Sequence, residues 1–311
     1  MNSILEIIFS VFVYVIIGYI IRKINIIPNR LIKGFDFISF NILLPIALVA
    51  YFWKIQFPTI NTFHLMLSFF GSGVLVFTIG FYISAKFLKF KLDDSALFGL
   101  GSCFGNSVAL GIPLMYSILG PINSMPYMIL VFFHGFIHFT YTTVIIEGYR
   151  SRQSSYFLIA LSTILGLFKN VVLFGMILGI ILNYSGIEAP LIVSNLLNPL
   201  SIIALPAILI SLGFALASFQ IKEYFHFALI LTCLKNFLHP FFAFIVSKYI
   251  FEMDSMLVFI VTMAAALPSG SQSYYFSYRY NSLQNVLSAN IVFSTLVSFF
   301  TLSLLLIIFK F

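Results

Sequence analysis

Charged residues in this chain are confined to short clusters, and long apolar runs separate these clusters. Only 8% of the 311 residues are charged, 61% are hydrophobic, and the mean hydropathy is +1.10. A water-soluble domain of this size could not cover its surface with so few charges. Several runs reach the roughly 20 residues with which a helix crosses a hydrocarbon core of about 30 Å. The sequence therefore predicts an all-α integral membrane protein with the lipid bilayer as its main partner.

The apolar runs divide into ten candidate transmembrane spans. The charge-free run 95–146 is too long for one helix, and Gly120-Pro121-Ile122-Asn123 predicts a tight turn near its middle. A shorter, serine-containing stretch, Gln153–Phe168, predicts an interfacial helix. The ten spans are Ser3–Ile21, Gly34–Trp53, Thr62–Lys86, Ser95–Leu119, Ser124–Gly148, Leu167–Tyr184, Asn195–Phe219, Phe225–Ile250, Ser255–Tyr278 and Gln284–Phe309.

The distribution of basic residues predicts the orientation of the spans. The net charge is +7, but the basic residues lie between apolar runs, which indicates cytoplasmic loops and no nucleic-acid surface. If the amino terminus is outside, the outer segments hold only Lys54, Lys248 and Lys310, and nearly all other Lys and Arg residues fall inside. We therefore expect both termini to be extracytoplasmic.

Ten spans divide into two halves of five, which predicts an internal inverted repeat. An odd number of spans in the first half makes the second half enter the membrane upside down. We expect the first repeat at residues 1–148, a cytoplasmic linker with the interfacial helix at 149–166, and the second repeat at 167–311. Each half has a proline in its second span, Pro45 or Pro206, and an interrupted fourth span.

The two interruptions lie at matching places in the halves, at Gly105–Pro113 and at Pro268–Ser273. A helix break exposes backbone N–H and C=O groups, which would cost several kcal/mol each if they faced lipid, so such breaks persist where they line a polar cavity. The amino-terminal ends of the half-helices that follow carry partial positive charge and free N–H groups. The pair of breaks therefore predicts a site for an anion.

Lys235 lies near the middle of the eighth span, where a lysine costs about 2.5–3.5 kcal/mol on insertion scales. No Asp or Glu lies deep in any predicted span, so the partner is a backbone carbonyl, water or an anionic substrate. Two roles are open: Lys235 binds the substrate, or it is structural and bonds the carbonyls of the broken helices. His239 lies one turn further, on the same face.

Two functions of other classes are alternatives to a carrier. His134 and His138 have the spacing of a zinc-protease helix, but residue 135 is Gly where the catalytic Glu would be, so an intramembrane hydrolase lacks its base. A channel or sensor is the other alternative, although no repeated ring of charges indicates a pore. Cys103 and Cys233 lie in apolar runs and are expected to be small buried side chains.

An ordered set of motifs over nearly the whole chain resembles the auxin efflux carrier family, especially its bacterial members. The motifs are Asn41-Ile42-Leu43-Leu44-Pro45, Gly105-Asn106 through Gly111-Ile112-Pro113-Leu114 to Leu119-Gly120, Leu205-Pro206 through Leu212-Gly213, Lys235 with Pro240, Ala266-Leu267-Pro268, and Ser294-Thr295. The sequence departs from the family at Lys169-Asn170-Val171, where proline usually follows the asparagine, and it lacks the long cytoplasmic loop of many plant members.

The resemblance implies a fold and a division of labour. It implies ten helices in two inverted five-helix repeats, with the broken fourth and ninth helices crossing near Pro113 and Pro268. It also implies that spans one, two, six and seven form a scaffold, often a homodimer, against which the other six spans move like an elevator. Bacterial relatives are associated with malate and malonate, and plant relatives with the auxin anion, so we expect location in a bacterial plasma membrane.

These features together predict a secondary carrier of small organic anions, and no enzyme. No cofactor is expected; the coupling ion would be H⁺ or Na⁺, with uniport or exchange as alternatives. No metal site is expected. The predicted substrate-binding residues are Asn106, Ser107, Gly111, Pro113, Lys235, His239, Pro268, Ser269 and Gln272.

Overall fold

A computed structural model describes residues 2–55, 60–150, 161, 170–219 and 224–310. These residues are mainly helical, and within them the only strand-like pairing is one antiparallel bridge between Gly105 and Ser269. The interfacial helix expected at Gln153–Phe168 lies outside the described residues, apart from Leu161. The helices are α1 Asn2–Lys23, α2 Asn29–Lys54, α3 Thr62–Lys86, α4 Leu92–Cys103, α5 Ser107–Asn123, α6 Met125–Arg150, α7 Val171–Tyr184, α8 Leu191–Ser218, α9 Phe225–Ile250, α10 Ser255–Ala266, α11 Ser271–Tyr280 and α12 Gln284–Phe309.

Six of these helices, α2, α3, α6, α8, α9 and α12, have 25 to 28 residues and are apolar enough to cross a bilayer. α1 is of similar length, with 22 residues, whereas α5, α7 and α10 are shorter apolar helices. The turn expected at Gly120 is present as a kink inside α5, three residues before its end, because Gly120 adopts a φ of +71° that is open to glycine. The described chain thus has the all-helical, apolar build of an integral membrane protein.

Three prolines are accommodated inside or at the start of long helices by widened, π-helical turns. Such turns, at Ser39–Leu43 and Leu234–Leu238, come just before Pro45 and Pro240. A proline ring clashes with the carbonyl four residues earlier and supplies no N–H, so a wider turn relieves both problems. A third turn of this kind, Ser107–Gly111, precedes Pro113. α2 and α9 therefore continue through their prolines.

Four helices, α1, α2, α7 and α8, form one packed unit, which we call the four-helix group. α1 runs along α8, and α2 contacts both α7 and α8. The backbones approach closely at glycines: a Cβ atom at Gly18 would overlap the carbonyl of Ile210, and one at Gly175 would lie 2.8 Å from the carbonyl oxygen of Pro45. In lipid the hydrophobic effect does not drive helices together, so their association depends on close packing, which small residues permit.

The remaining helices, α3 to α6 and α9 to α12, form a second unit, which we call the crossing group. α3 packs on α4, α9 packs on α10 and α12, and α11 packs on α12. At one end of this group the Arg150 guanidinium donates to Asp93 at 2.8 Å and to the carbonyl of Tyr280 at 3.3 Å. Ser282 also hydrogen-bonds Asp94 there. We call this the Arg150 end.

The two groups are joined at the opposite end, which we call the Lys54 end. The hydroxyl of Tyr51 on α2 donates to the carbonyl of Pro121 at 2.7 Å and lies 3.2 Å from the Ser124 hydroxyl. Within the four-helix group, Lys54 donates to the Asn198 side chain at 3.2 Å. The groups also touch where α1 meets α5 and α12, and where α8 meets α5.

Both cysteines were predicted to be buried, and the prediction is confirmed for one of them. Cys103 is buried in the crossing group, whereas Cys233 is exposed on α9. The prediction for Cys233 was wrong because an apolar run does not reveal which helix face points outward to lipid.

Candidate functional site

The two helix breaks meet inside the crossing group. α4 ends at Cys103 and α10 ends at Ala266, and each chain then runs extended for a few residues before α5 or α11 begins. The N–H of Asn106 donates to the carbonyl of Pro268 at 2.7 Å, and the N–H of Gly270 donates to the carbonyl of Phe104 at 3.0 Å. The breaks therefore satisfy part of each other's exposed backbone by a short antiparallel pairing.

Both breaks are shorter than the sequence predicted. Only 104–106 and 267–270 leave the helix, because Ser107 already begins α5 and Ser271 already begins α11. Gly111 and Pro113 consequently lie in the first turns of α5, beyond the extended residues. The position of each break is as expected, while the predicted extents, Gly105–Pro113 and Pro268–Ser273, were too long.

Glycine is required where the two chains cross. A Cβ atom at Gly270 would lie 2.7 Å from the carbonyl oxygen of Gly105 and 2.8 Å from the ring of Phe104. A Cβ atom at Gly111 would overlap the hydroxyl of Tyr127, which donates to the carbonyl of Ser107 at 2.6 Å. A side chain at Gly270 would push the crossing chains apart, and one at Gly111 would displace Tyr127.

The crossing carries polar groups suited to an anion. The Asn106 side-chain oxygen caps α5 by accepting from the N–H of Ala109 at 3.2 Å, and its Nδ2 is buried with no hydrogen-bond partner. The Ser269 hydroxyl is also buried and unpartnered, while the N–H of Ser269 donates to Ser294 at 3.0 Å. First-turn N–H groups of α5 and α11 have no acceptor within their own helices. Two helix amino termini and two orphaned side chains thus offer donors in one place.

Lys235 is fully buried, and it links the two breaks. Its ammonium donates to the carbonyl of Ala265 at 2.5 Å, in the last turn of α10, where the helix dipole favours positive charge. A Cβ atom at Gly105 would lie 3.5 Å from the same nitrogen. Among the described residues no carboxylate pairs with Lys235. The ion pair that these residues form, Asp93–Arg150, lies away from Lys235 at the Arg150 end.

Polar side chains of α9 and α12 fix the broken helices, and sequence reasoning missed most of them. Asn290 accepts from Thr232 at 3.2 Å and donates to the carbonyl of Gly101 at 3.0 Å. Asn236 donates to the carbonyl of Ser294 at 3.1 Å. Ser294 belonged to a recognised motif, and an asparagine in an apolar span was a usable signal for the other two.

Two spaces flank the crossing. A small pocket of about 50 Å³, room for a few waters, is lined by Gly105, Ser107, His134, Asn170 and Gln272. A cleft of about 760 Å³ opens at the Lys54 end between the two helix groups, and its lining includes Tyr51, Lys54, Ile112, Tyr116 and Asn198.

The structure thus brings most of the predicted site residues together. Asn106, Lys235, Pro268 and Ser269 lie at the crossing itself, and Ser107 and Gln272 share the small pocket. His239 is buried further toward α3, where a Cβ atom at Gly73 would lie 3.5 Å from its Nε2. His134, which was not among the predicted substrate-binding residues, has its Nε2 3.1 Å from the carbonyl oxygen of Gly105.

Comparison with known proteins identifies the family of this chain. A family model described as "Membrane transport protein" matches residues 3–306. A protein of Rhizobium meliloti (strain 1021) named "Putative malonate transporter" is 22% identical over 265 residues, which cover 84% of this chain and 83% of that protein. Both findings indicate transport and no catalysis, so the hydrolase alternative was wrong. The chain belongs to the membrane transport protein family, which is the auxin efflux carrier family that its motifs resemble.

Proposed function

We propose that this protein is a secondary carrier that moves small organic anions, mono- or dicarboxylates, by alternating access. The observation that carries the proposal is the meeting of two broken helices at 104–106 and 267–270, with buried, unpartnered donors beside two helix amino termini. Such termini favour negative charge. The name of the Rhizobium meliloti relative supports malonate, one of the candidate substrates that the resemblance implied together with malate and auxin-like acids.

The proposed binding site is the crossing and the small pocket beside it. A carboxylate there would accept from first-turn N–H groups, from Asn106 Nδ2 and from the Ser269 hydroxyl. The residues assigned to this site are Asn106, Ser107, Gly111, Pro113, Lys235, Pro268, Ser269 and Gln272. His239, which the sequence also predicted, lies apart from them toward α3 and is not assigned to the anion site. Gly111 and Pro113 shape α5, whereas Ser107 and Gln272 line the space.

We assign Lys235 both of the roles left open by the sequence. An ammonium group has three donors, and the bond to Ala265 uses one of them. That bond holds the end of α10, and the charge remains to attract an anion into the crossing. A buried cation without a paired carboxylate gains most from an anion, because Coulomb attraction is strong where water is excluded.

The packing supports ten spans in two inverted repeats. If α4 with α5 and α10 with α11 are each one broken span, the first repeat is α1 to α6 and the second is α7 to α12. The contact of α1 with α8 then corresponds to that of α7 with α2, and both are extensive. The contact of α3 with α4 corresponds likewise to that of α9 with α10.

An elevator movement of the crossing group along the four-helix group fits this division. The close backbone contacts at Gly18, Gly175, Gly179 and Gly213 all lie within the four-helix group, which suits a rigid scaffold. With both termini outside, the Lys54 end faces outward, so the large cleft opens outward while the space on the other side is small. Exposed apolar residues on α7 and α8, such as Phe174 and Ile202, suit lipid or a second copy of the scaffold.

Uptake by the purified protein in liposomes tests this function. Labelled malonate, malate and indole-3-acetate would be offered to wild type, to Lys235→Gln and to the matched control Lys248→Gln, which changes an exposed lysine on the same helix. We expect saturable uptake of at least one anion, a loss of about ten-fold or more in Lys235→Gln, equivalent to about 1.4 kcal/mol, and no loss in Lys248→Gln. Folded wild type that moves none of the anions would contradict the proposal, and undiminished uptake by Lys235→Gln would remove the charge role.

A further inference from the structure

Three histidines are buried together beside the crossing. His134 and His138 lie one turn apart on α6 with ring centroids 4.6 Å apart, and His239 lies across from them on α9. All three rings surround Phe69 of α3, at centroid distances between 5.6 and 6.4 Å. None is more than 4% exposed. Burying an imidazole is costly unless its nitrogens are hydrogen-bonded, so the partners of these nitrogens decide what the cluster can do.

The hydrogen bonds fix where two of the rings carry their protons. His134 Nε2 lies 3.1 Å from the carbonyl oxygen of Gly105, and His138 Nδ1 lies 2.9 Å from that of His134. A carbonyl only accepts, so each of these nitrogens donates, and a neutral ring keeps its other nitrogen as a bare acceptor. Those acceptors, His134 Nδ1 and His138 Nε2, are buried without a hydrogen-bond partner. Each is therefore free to take up a proton.

His138 and His239 both pack against Gly73 of α3. A Cβ atom at Gly73 would lie 3.3 Å from His138 Nε2 and 3.5 Å from His239 Nε2. Both nitrogens can come this close to α3 because residue 73 has no side chain. Neither nitrogen of His239 makes a hydrogen bond of normal geometry, although the carbonyl of Phe69 faces its ring. A proton bound by one of these imidazoles would therefore lie beside a second unpartnered imidazole nitrogen.

The surroundings of His138 and His239 are positively charged or neutral. Lys235 lies one turn before His239 on α9, and Cys103 of α4 contacts Tyr141 of α6 at 3.4 Å. α3 contributes Phe69 and Gly73, which do not ionise, and no carboxylate among the described residues acts on the three rings. A proton on His138 or His239 would thus add a second positive charge near Lys235 with no fixed counter-charge.

An anion in the crossing would supply that counter-charge. His134 connects the two places, because its ring lines the small pocket with Ser107 and Gln272 and also contacts His138. If the anion raises the affinity for the proton, the proton must raise the affinity for the anion by the same factor. Proton and anion would therefore bind together.

We propose that His138 and His239, packed together against Gly73, form the proton-binding site of a proton–anion symporter. This inference rests on the proposed transport function and names its coupling ion. The proton comes from water on one side of the membrane, adds to an imidazole lone pair, and leaves to water on the other side. No oxidant, reductant or other reactant is needed.

The test combines anion uptake with proton movement in liposomes. Labelled malonate, malate and indole-3-acetate would be offered with and without an inward proton gradient while a pH dye reports the lumen. The variants are His138→Asn, which keeps a donor near the Nδ1 position, His239→Gln and Gly73→Ala. The control is His226→Gln, an exposed histidine on the same helix as His239. Anion exchange without a gradient would be measured for each variant to show that it folds and still binds the anion.

We expect an inward gradient of one pH unit to speed wild-type uptake and to raise the final accumulation of the anion by up to about ten-fold, the limit for one proton per anion, with protons entering alongside the anion. His138→Asn and His239→Gln should retain exchange and lose the acceleration, Gly73→Ala should weaken it, and His226→Gln should keep it. Anion uptake without proton entry, or acceleration unchanged in His138→Asn and His239→Gln, would overturn the proton site while leaving the carrier intact. If wild type moves none of the anions, the proposed function fails instead. In that case, acid–base titration of the purified protein in detergent, with and without malonate, still tests the proton site. Equal numbers of bound protons in wild type and His138→Asn would overturn that site.

Discussion

Asn106 and Pro268 are joined through their backbones at the centre of the molecule: the N–H of Asn106 donates to the carbonyl of Pro268 at 2.7 Å. These residues lie 162 positions apart in sequence and belong to two different broken helices. Their contact means that a change in one break acts directly on the other, and the following predictions begin there.

Replacing Gly270 with alanine should destabilise the crossing. The added Cβ would lie 2.7 Å from the carbonyl oxygen of Gly105, closer than a backbone atom can accept without moving. We expect a loss of about 1–3 kcal/mol, typical of overpacking, together with reduced anion uptake. Thermal unfolding in detergent measures the loss. Gly135→Ala on α6 is the control, since its Cβ would meet only the Phe139 ring at 3.5 Å; equal unfolding temperatures would contradict the crossing geometry.

Replacing Gly18 with alanine should disrupt the four-helix group. A Cβ atom at Gly18 would overlap the Ile210 carbonyl of α8, and a rigid helix backbone leaves little room to adjust. We expect a loss of about 1–3 kcal/mol or more. Gly34→Ala is the matched control, because its Cβ meets nothing within 4 Å and alanine is favoured over glycine in a helix by about 0.5–1 kcal/mol. An unfolding temperature for Gly18→Ala at or above that of Gly34→Ala would be the contrary result.

Removing the hydroxyl of Tyr51 should favour the arrangement of the two helix groups in which the cleft at the Lys54 end is closed. In Tyr51→Phe the bond to the carbonyl of Pro121 at 2.7 Å is lost, which weakens the contact at the Lys54 end by about 0.5–1.5 kcal/mol. If the groups slide, the population with an open cleft should fall by about two- to ten-fold. Thiol labelling of Ser201→Cys, in the cleft lining, would slow accordingly.

A matched tyrosine controls this experiment. The Tyr82 hydroxyl accepts from Lys86 within α3, so Tyr82→Phe removes a hydrogen bond inside one group and should leave the labelling of Ser201→Cys unchanged. Cys233 is exposed and would be replaced by serine in all of these variants. Identical labelling rates with Tyr51 and with Phe at this position would show that the hydrogen bond does not hold the cleft open.

The places of the helix breaks could be predicted from the sequence, but their extents could not. Gly105 and Pro268 disrupt helices at matching positions in the two halves, and the order of the residues alone reveals this. Ser107 and Ser271, however, can begin a helix as readily as continue a loop, and their packing decides between the two. Pro45 is a similar case. The sequence shows a proline in the second span, but not that a widened turn lets α2 continue through it.

The partners of buried polar residues were harder to foresee. The sequence showed that Lys235 needed a partner, but the partner, the carbonyl of Ala265, is backbone and leaves no trace in residue type. The spacing of His134 and His138 predicted one shared helix face. That His239 joins them around Phe69 depends on how α3, α6 and α9 pack, which periodicity does not specify.

Chemical protection of Gln272 tests most directly whether the anion binds at the crossing. Gln272→Cys, made with Cys233→Ser, would be reacted with a charged thiol reagent while malonate, malate or indole-3-acetate is added. An anion that fills the site at ten times its Kd should slow the reaction about ten-fold and leave Tyr275→Cys, exposed on the same helix, unaffected. Equal reaction rates at Gln272→Cys with and without an anion that the protein demonstrably transports would contradict a substrate site between the two broken helices.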